Sequence, residues 1–153
     1  MAAKENSPRE WGKVEKLEII PPYNIVCEQA DVFNKNFQQG EMYCRVIRNL
    51  VDPKQNLFDV DDILAPDDEL PKAEKDTLVK LYVEVPTLDN YQLQLVKVTY
   101  KVSKLYPCEL VNSINKQSYQ CETSSAFKEK LLEVLTSESI STRLSVLYSQ
   151  VAD

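Results

Sequence analysis

"TLVKLYVEVPTLDNYQLQLVKVTYKV", residues 77 to 102, decides how the chain folds. Val79, Leu81, Val83 and Val85 alternate with Lys80, Tyr82 and Glu84, which is the period of a strand with one dry and one wet face. Pro86 ends the run, and the turn that follows, Thr87 to Asn90, contains no glycine. Asp89 and Asn90 must supply the conformations of a tight reversal, which their short polar side chains tolerate. A second alternating run follows, so residues 77 to 102 read as an antiparallel hairpin.

The second run breaks parity. Tyr91, Leu93 and Leu95 share one face, whereas Val96, Val98, Tyr100 and Val102 fall on the other if the pleat is regular. A one-residue slip flips every side chain after it, and one extra residue in the ladder, a β-bulge, returns both sets to the same side. The expected answer is a bulge at 95/96 in a long bent strand. The competing reading is a strand apolar on opposite faces in its two halves, one half docking a partner.

Outward from the hairpin, "YNIVCEQADVFNKNFQQG" repeats apolar residues at spacings of three and four. It predicts a helix over about 24 to 39, with Asn24 as N-cap, Glu28 complementing the dipole and Gly40 as the C′ residue. "VEKLEIIPP" before it predicts a short extended segment, and "EMYCRVIRNLVD" after it a strand, with helix as the alternative. Beyond Pro107, two short extended segments flank a polar turn at 112 to 117. Phe127, Leu131, Val134 and Leu135 then mark a helix capped by Thr123, Ser124 or Ser125, and Ile140, Leu144, Leu147 and Val151 a last helix starting near Ser139. The fold class is α+β: a single domain over 13 to 153, a curved antiparallel sheet packed by an N-terminal helix and two C-terminal helices. Residues 1 to 12 read as a flexible lead-in, and no internal repeat is present.

Composition excludes more than it assigns. The 153 residues are 43% hydrophobic and 27% charged, ordinary globular values. No apolar run approaches the roughly 18 residues that cross a bilayer, and the polar N-terminus lacks the apolar core of a secretory signal, so a cytoplasmic protein without membrane contact is expected. Cys27, Cys44, Cys108 and Cys121 show no C-x-x-C spacing and are read as reduced thiols. With no histidine, the commonest general base and metal ligand is missing, and with two glycines no glycine-rich loop cradles a phosphate. The chain is therefore read as a non-enzyme with no cofactor and no metal site.

Several residues remain as candidates for contact. Lys97, Thr99, Lys101 and Ser103 line the polar face of the second hairpin strand, with Lys104 and Tyr106 beyond, a pattern that can follow a nucleic-acid backbone. Lysines on a sheet's wet side also discourage edge pairing, and a net charge of −6 disfavours phosphate. An acidic loop at about 52 to 76 carries Asp59, Asp61, Asp62, Asp67, Asp68 and Glu69. It fails the EF-hand template, because Leu64 and Leu70 stand where glycine and glutamate are needed, and is read as solvated or as bait for a basic partner. Trp11 is either a docking anchor or loosely packed on the domain edge. Cys121, before a capped helix whose dipole can lower a thiol pKa, is the one nucleophile to test against a buried structural thiol. Glu28 and Gln29 are read as hydrogen-bonding to the sheet.

"PPYNIVCEQADVF", "VPTLDNYQLQLVKV", "LYPCEL" and "CETSSAFKEKLLEVLTSE" together resemble blocks of small bacterial α+β proteins that share a P-x-x-I-x-x-E-Q-A helix, a Tyr-Pro strand end and a late Phe-x-x-x-Leu helix. The likeness spans residues 21 to 138 in pieces, and the acidic insertion at 52 to 76 departs from it. It implies a bacterial or phage setting and a compact α+β domain, and nothing catalytic. Together these readings predict a protein that binds another protein, or itself as a homo-oligomer, of the immunity, inhibitor, adaptor or defence-accessory type. A nucleic-acid-binding module is the alternative, and a small Cys- or carboxylate-based enzyme a further one.

Overall fold

The computed structural model describes residues 19–37, 41–52 and 74–152. Helix α1 (Pro22–Asn36) precedes strand β1 (Tyr43–Val51). Strands β2 (Asp76–Val85), β3 (Tyr91–Lys101), β4 (Lys104–Asn112) and β5 (Ser118–Cys121) follow, then helices α2 (Ser124–Leu135) and α3 (Glu138–Val151). Among the described residues the sheet has five strands in the order β1-β2-β3-β4-β5, each antiparallel to its neighbours. This is the α+β fold expected from the sequence.

The hairpin forms as its pattern dictates. A single 3-10 turn at Pro86–Leu88 leads into Asp89 (φ 61°) and Asn90 (φ 57°), both left-handed. In β3 the ladder shifts by one residue: Leu81 faces Val96 while Tyr82 faces Gln94, so Leu95 is the extra residue. Leu95 and Val96, adjacent in sequence, are 2% and 0% exposed, which a regular pleat forbids. The bulge thus turns Leu93, Leu95, Val96, Val98 and Tyr100 into one core. Tyr91 and Val102, expected on that face, lie at the two ends of the strand and are each 46% exposed.

Helix α1 begins earlier than its apolar period suggests. Pro21 holds the N-cap position with no side-chain bond and Pro22 opens the helix, its fixed φ already helical and its missing N–H no loss there. Asn24 is therefore not the cap: it sits inside the first turn, its N–H donating to the Pro21 carbonyl at 3.1 Å. Glu28 lies beyond the first turn, which holds no acidic residue. The helix closes at Phe37, and Gly40, its expected C′ residue, lies outside the described residues. Most of the extended segment expected before α1, and residues 53–73 of the acidic loop, lie outside them too.

Helix α2 is capped by Thr123, whose hydroxyl accepts from the Ala126 N–H at 3.1 Å. It buries Phe127, Leu131 and Val134 over β4 and β5. Helix α3 packs beside α2 through Ile140 and Leu147. Its Tyr148 ring meets Phe37 edge-on at 5.3 Å, and its Ser139 hydroxyl accepts from the buried Asn112 amide at 3.1 Å. No described helix is long and apolar enough to cross a membrane.

Candidate functional site

The sheet has two unlike faces. Val79, Leu81, Val98 and Leu110 point to the side the helices cover and are fully buried. Their sequence neighbours point the other way, stay half-exposed, and carry no helix among the described residues.

Register assembles the open face into rows that no single strand reveals. Ile47 stands opposite Lys80, Lys80 opposite Lys97, Lys97 opposite Val111, and Val111 opposite Ser118, a line across all five strands. The next row is Asn49, Leu78, Thr99, Glu109 and Gln120. On the other side of the lysines lie Arg45, Tyr82 and Gln94. Two ammonium groups thus share the middle of a partly apolar surface. Directly opposed like charges destabilise a sheet, and among the described residues neither Lys80 nor Lys97 is in an ion pair.

Two features border the row. Toward the β1–β2 end, Glu84 is 8% exposed and its Oε1 accepts from the Tyr43 hydroxyl at 2.9 Å and from Arg45 Nη1 at 3.1 Å. The Tyr43 bond chiefly holds this carboxyl below its ordinary range; burial opposes it and Arg45 assists. The same bond raises the Tyr43 phenol. Toward the other end, β4 leaves β3 between Leu105 and Cys108. A hollow of about 360 Å³ opens there, lined by Lys101, Lys104, Asp76, Glu109, Thr99 and Gln120, among others.

The residues singled out from sequence divide accordingly. Lys97, Thr99 and Lys101 do share the open face, and Lys104 sits opposite Lys101. Lys101 Nζ lies 3.8 Å from Asp76. Ser103 instead turns into the β3–β4 reversal, where its N–H donates to Glu74 at 2.7 Å, and Tyr106 reaches the segment just before α1, its hydroxyl donating to the Ile20 carbonyl at 2.6 Å. Strand β3 is central, so its lysines do not guard an edge. Asp59, Asp61, Asp62, Asp67, Asp68, Glu69 and Trp11 lie outside the described residues. Glu28 meets Lys128 of α2 at 4.0 Å rather than the sheet.

Cys121 sits as the buried thiol of its two readings, not as an activated nucleophile at the helix N-terminus. It is 3% exposed, and burial raises its thiol pKa, outweighing the lowering influence of Lys130. Burial also pushes Cys44 and Cys108 up to about 12. Sequence reading missed Lys80, Ile47, Leu78 and Val111; the pattern put Lys80 on a wet face, but only strand register sets it against Lys97. No group of three His, Cys, Asp or Glu among the described residues is placed to hold a metal ion. No family model, curated protein or solved structure matches the chain.

Proposed function

We propose that this is a non-enzymatic interaction protein that binds an acidic segment of a partner protein on the open face of its sheet. The observation that carries the reading is the Lys80–Lys97 pair, side by side between Ile47 and Val111 and unpaired by any described carboxylate. A carboxylate from a partner relieves the repulsion between the two ammonium groups, and the flanking apolar side chains supply area for contact. The lysine stripe expected from sequence becomes, in this reading, one half of a two-strand cation pair. Such a surface suits an immunity, inhibitor, adaptor or defence-accessory role in a bacterial or phage cytoplasm.

Nucleic acid is the less favoured ligand. The two lysines are flanked by Ile47, Leu78 and Val111, apolar neighbours that suit the side chains of a peptide better than a phosphate backbone.

The test is a titration of isotope-labelled protein with a glutamate-rich decapeptide flanked by leucines, and separately with single-stranded DNA, followed by NMR. The expected result is peptide-induced shifts centred on residues 47, 80, 97 and 111, lost in Lys80→Ala/Lys97→Ala. Shifts confined to the helical side, or DNA binding that falls steeply with salt, overturn the reading.

A further inference from the structure

The core holds a second, chemically distinct pair that the open face does not use. Cys108 on β4 and Cys121 on β5 are directly opposite each other, 2% and 3% exposed, and both are free thiols. As directly opposed residues of an antiparallel pair, their side chains leave the sheet on the same face. The Asn112 N–H donates to the Gln117 carbonyl at 2.8 Å at the mouth of this hairpin. Counting in twos from that bond places Cys108 and Cys121 in a hydrogen-bonded pair, whose Cα atoms stand about 5.5 Å apart. That lies inside the roughly 4.4–6.8 Å window of disulfides.

We propose that Cys108 and Cys121 form a reversible dithiol, joined by a small-molecule disulfide oxidant into one cross-strand bond between β4 and β5 and released by thiol reductants. The reaction is exchange in two steps. The Cys121 thiolate attacks one sulfur of the oxidant, expelling its other half as a thiolate that takes up a proton. The Cys108 thiolate then attacks the Cys121 sulfur, forming the protein disulfide and expelling the second small thiol. Two protein thiols are oxidised and one disulfide is reduced to two thiols.

Burial raises both thiols and makes exchange slow, and Lys130 of α2 favours the thiolate of Cys121, which is therefore the first attacker. It also ends β5, a four-residue strand at the sheet edge, where local opening is easiest. Once formed, the disulfide fixes the end of β5 two residues before Thr123, the cap of α2, and so ties the C-terminal helices to the sheet.

The experiment equilibrates the full chain in glutathione buffers of rising oxidised fraction, quenches with acid, alkylates in denaturant and maps tryptic peptides. Lys116 separates the two cysteines into peptides 105–116 and 117–128. The expected result is a loss of two hydrogens in mass, these two peptides linked, and a thermal midpoint several degrees higher in the oxidised form. Cys27→Ser/Cys44→Ser should leave linkage and shift unchanged, and Cys121→Ser should abolish both. Four alkylated thiols across the whole range, a persistent glutathione adduct without linkage, or linkage through Cys27 or Cys44 at the same oxidant ratio overturns the proposal.

Discussion

Asn34 closes the free edge of the sheet at Cys44: its Oδ1 accepts from the Cys44 N–H at 2.7 Å and its Nδ2 donates to the Cys44 carbonyl at 3.2 Å. Among the described residues strand β1 has no partner on that side, so a helix side chain stands where another strand would bond. Asn34→Ala removes both bonds and leaves the two backbone groups to water or to a foreign strand. We expect a loss of about 1–3 kcal/mol in urea unfolding, together with concentration-dependent association by light scattering. An unchanged midpoint and a monodisperse variant would show that the bridge contributes nothing.

The bulge makes a sharper demand. In a regular strand, one of any two adjacent residues faces water and accepts a charge. Leu95 and Val96 are both buried, so Leu95→Asp and Val96→Asp should each prevent folding at 25 °C, as read by circular dichroism, whereas Lys97→Asp should not. A folded Leu95→Asp protein would show that the register does not shift there.

Acid stability follows from Glu84. Its folded-state carboxyl lies below the ordinary value of 4.5 because the Tyr43 hydroxyl and Arg45 stabilise the anion against the cost of burial. A depressed folded pKa means that the stabilisation is fully present above about pH 4.5 and is lost as pH falls through the folded value. Thermal midpoints should therefore drop below pH 4.5 in the wild type, and this part of the drop should vanish in Glu84→Gln. Equal acid sensitivity of the two proteins would remove Glu84 from the account.

The opposed lysines of the open face carry a cost in stability. Lys97→Glu replaces a repulsive cross-strand pair with an attractive one, and such pairs are worth about 0.2–1 kcal/mol. We expect the variant to unfold at higher urea than wild type at low salt, with the difference shrinking as salt rises. A destabilised Lys97→Glu would mean that the two ammonium groups are already neutralised.

The hairpin and its bulge were legible because period and parity are local properties, and Asp89–Asn90 announced the turn because no glycine competed for it. The start of α1 was misread because Asn24 is a good cap type in the wrong place: two prolines set that terminus through backbone geometry rather than through a side-chain oxygen. Most of the proposed contact surface was not legible. The alternation in β2 sets Lys80 on a wet face, but nothing in it says that Ile47 and Lys97 flank it. That adjacency is created only when three strands, separated in sequence, settle into register. Cys108 and Cys121 stayed unconnected for the same reason, since their meeting depends on the turn at 113–117 having one length and no other.

The unbroken succession of strands in the sheet has a kinetic meaning. Each described strand hydrogen-bonds to the one made just before or just after it among the described strands, so assembly of these five requires no crossover between them, and the sheet grows by accretion as the polypeptide lengthens. Pulse-labelled refolding should find β2 and β3 amides protected ahead of β5. Until α2 is synthesised, the apolar side of β4 faces solvent, and in that interval a nascent chain is most exposed to misassociation.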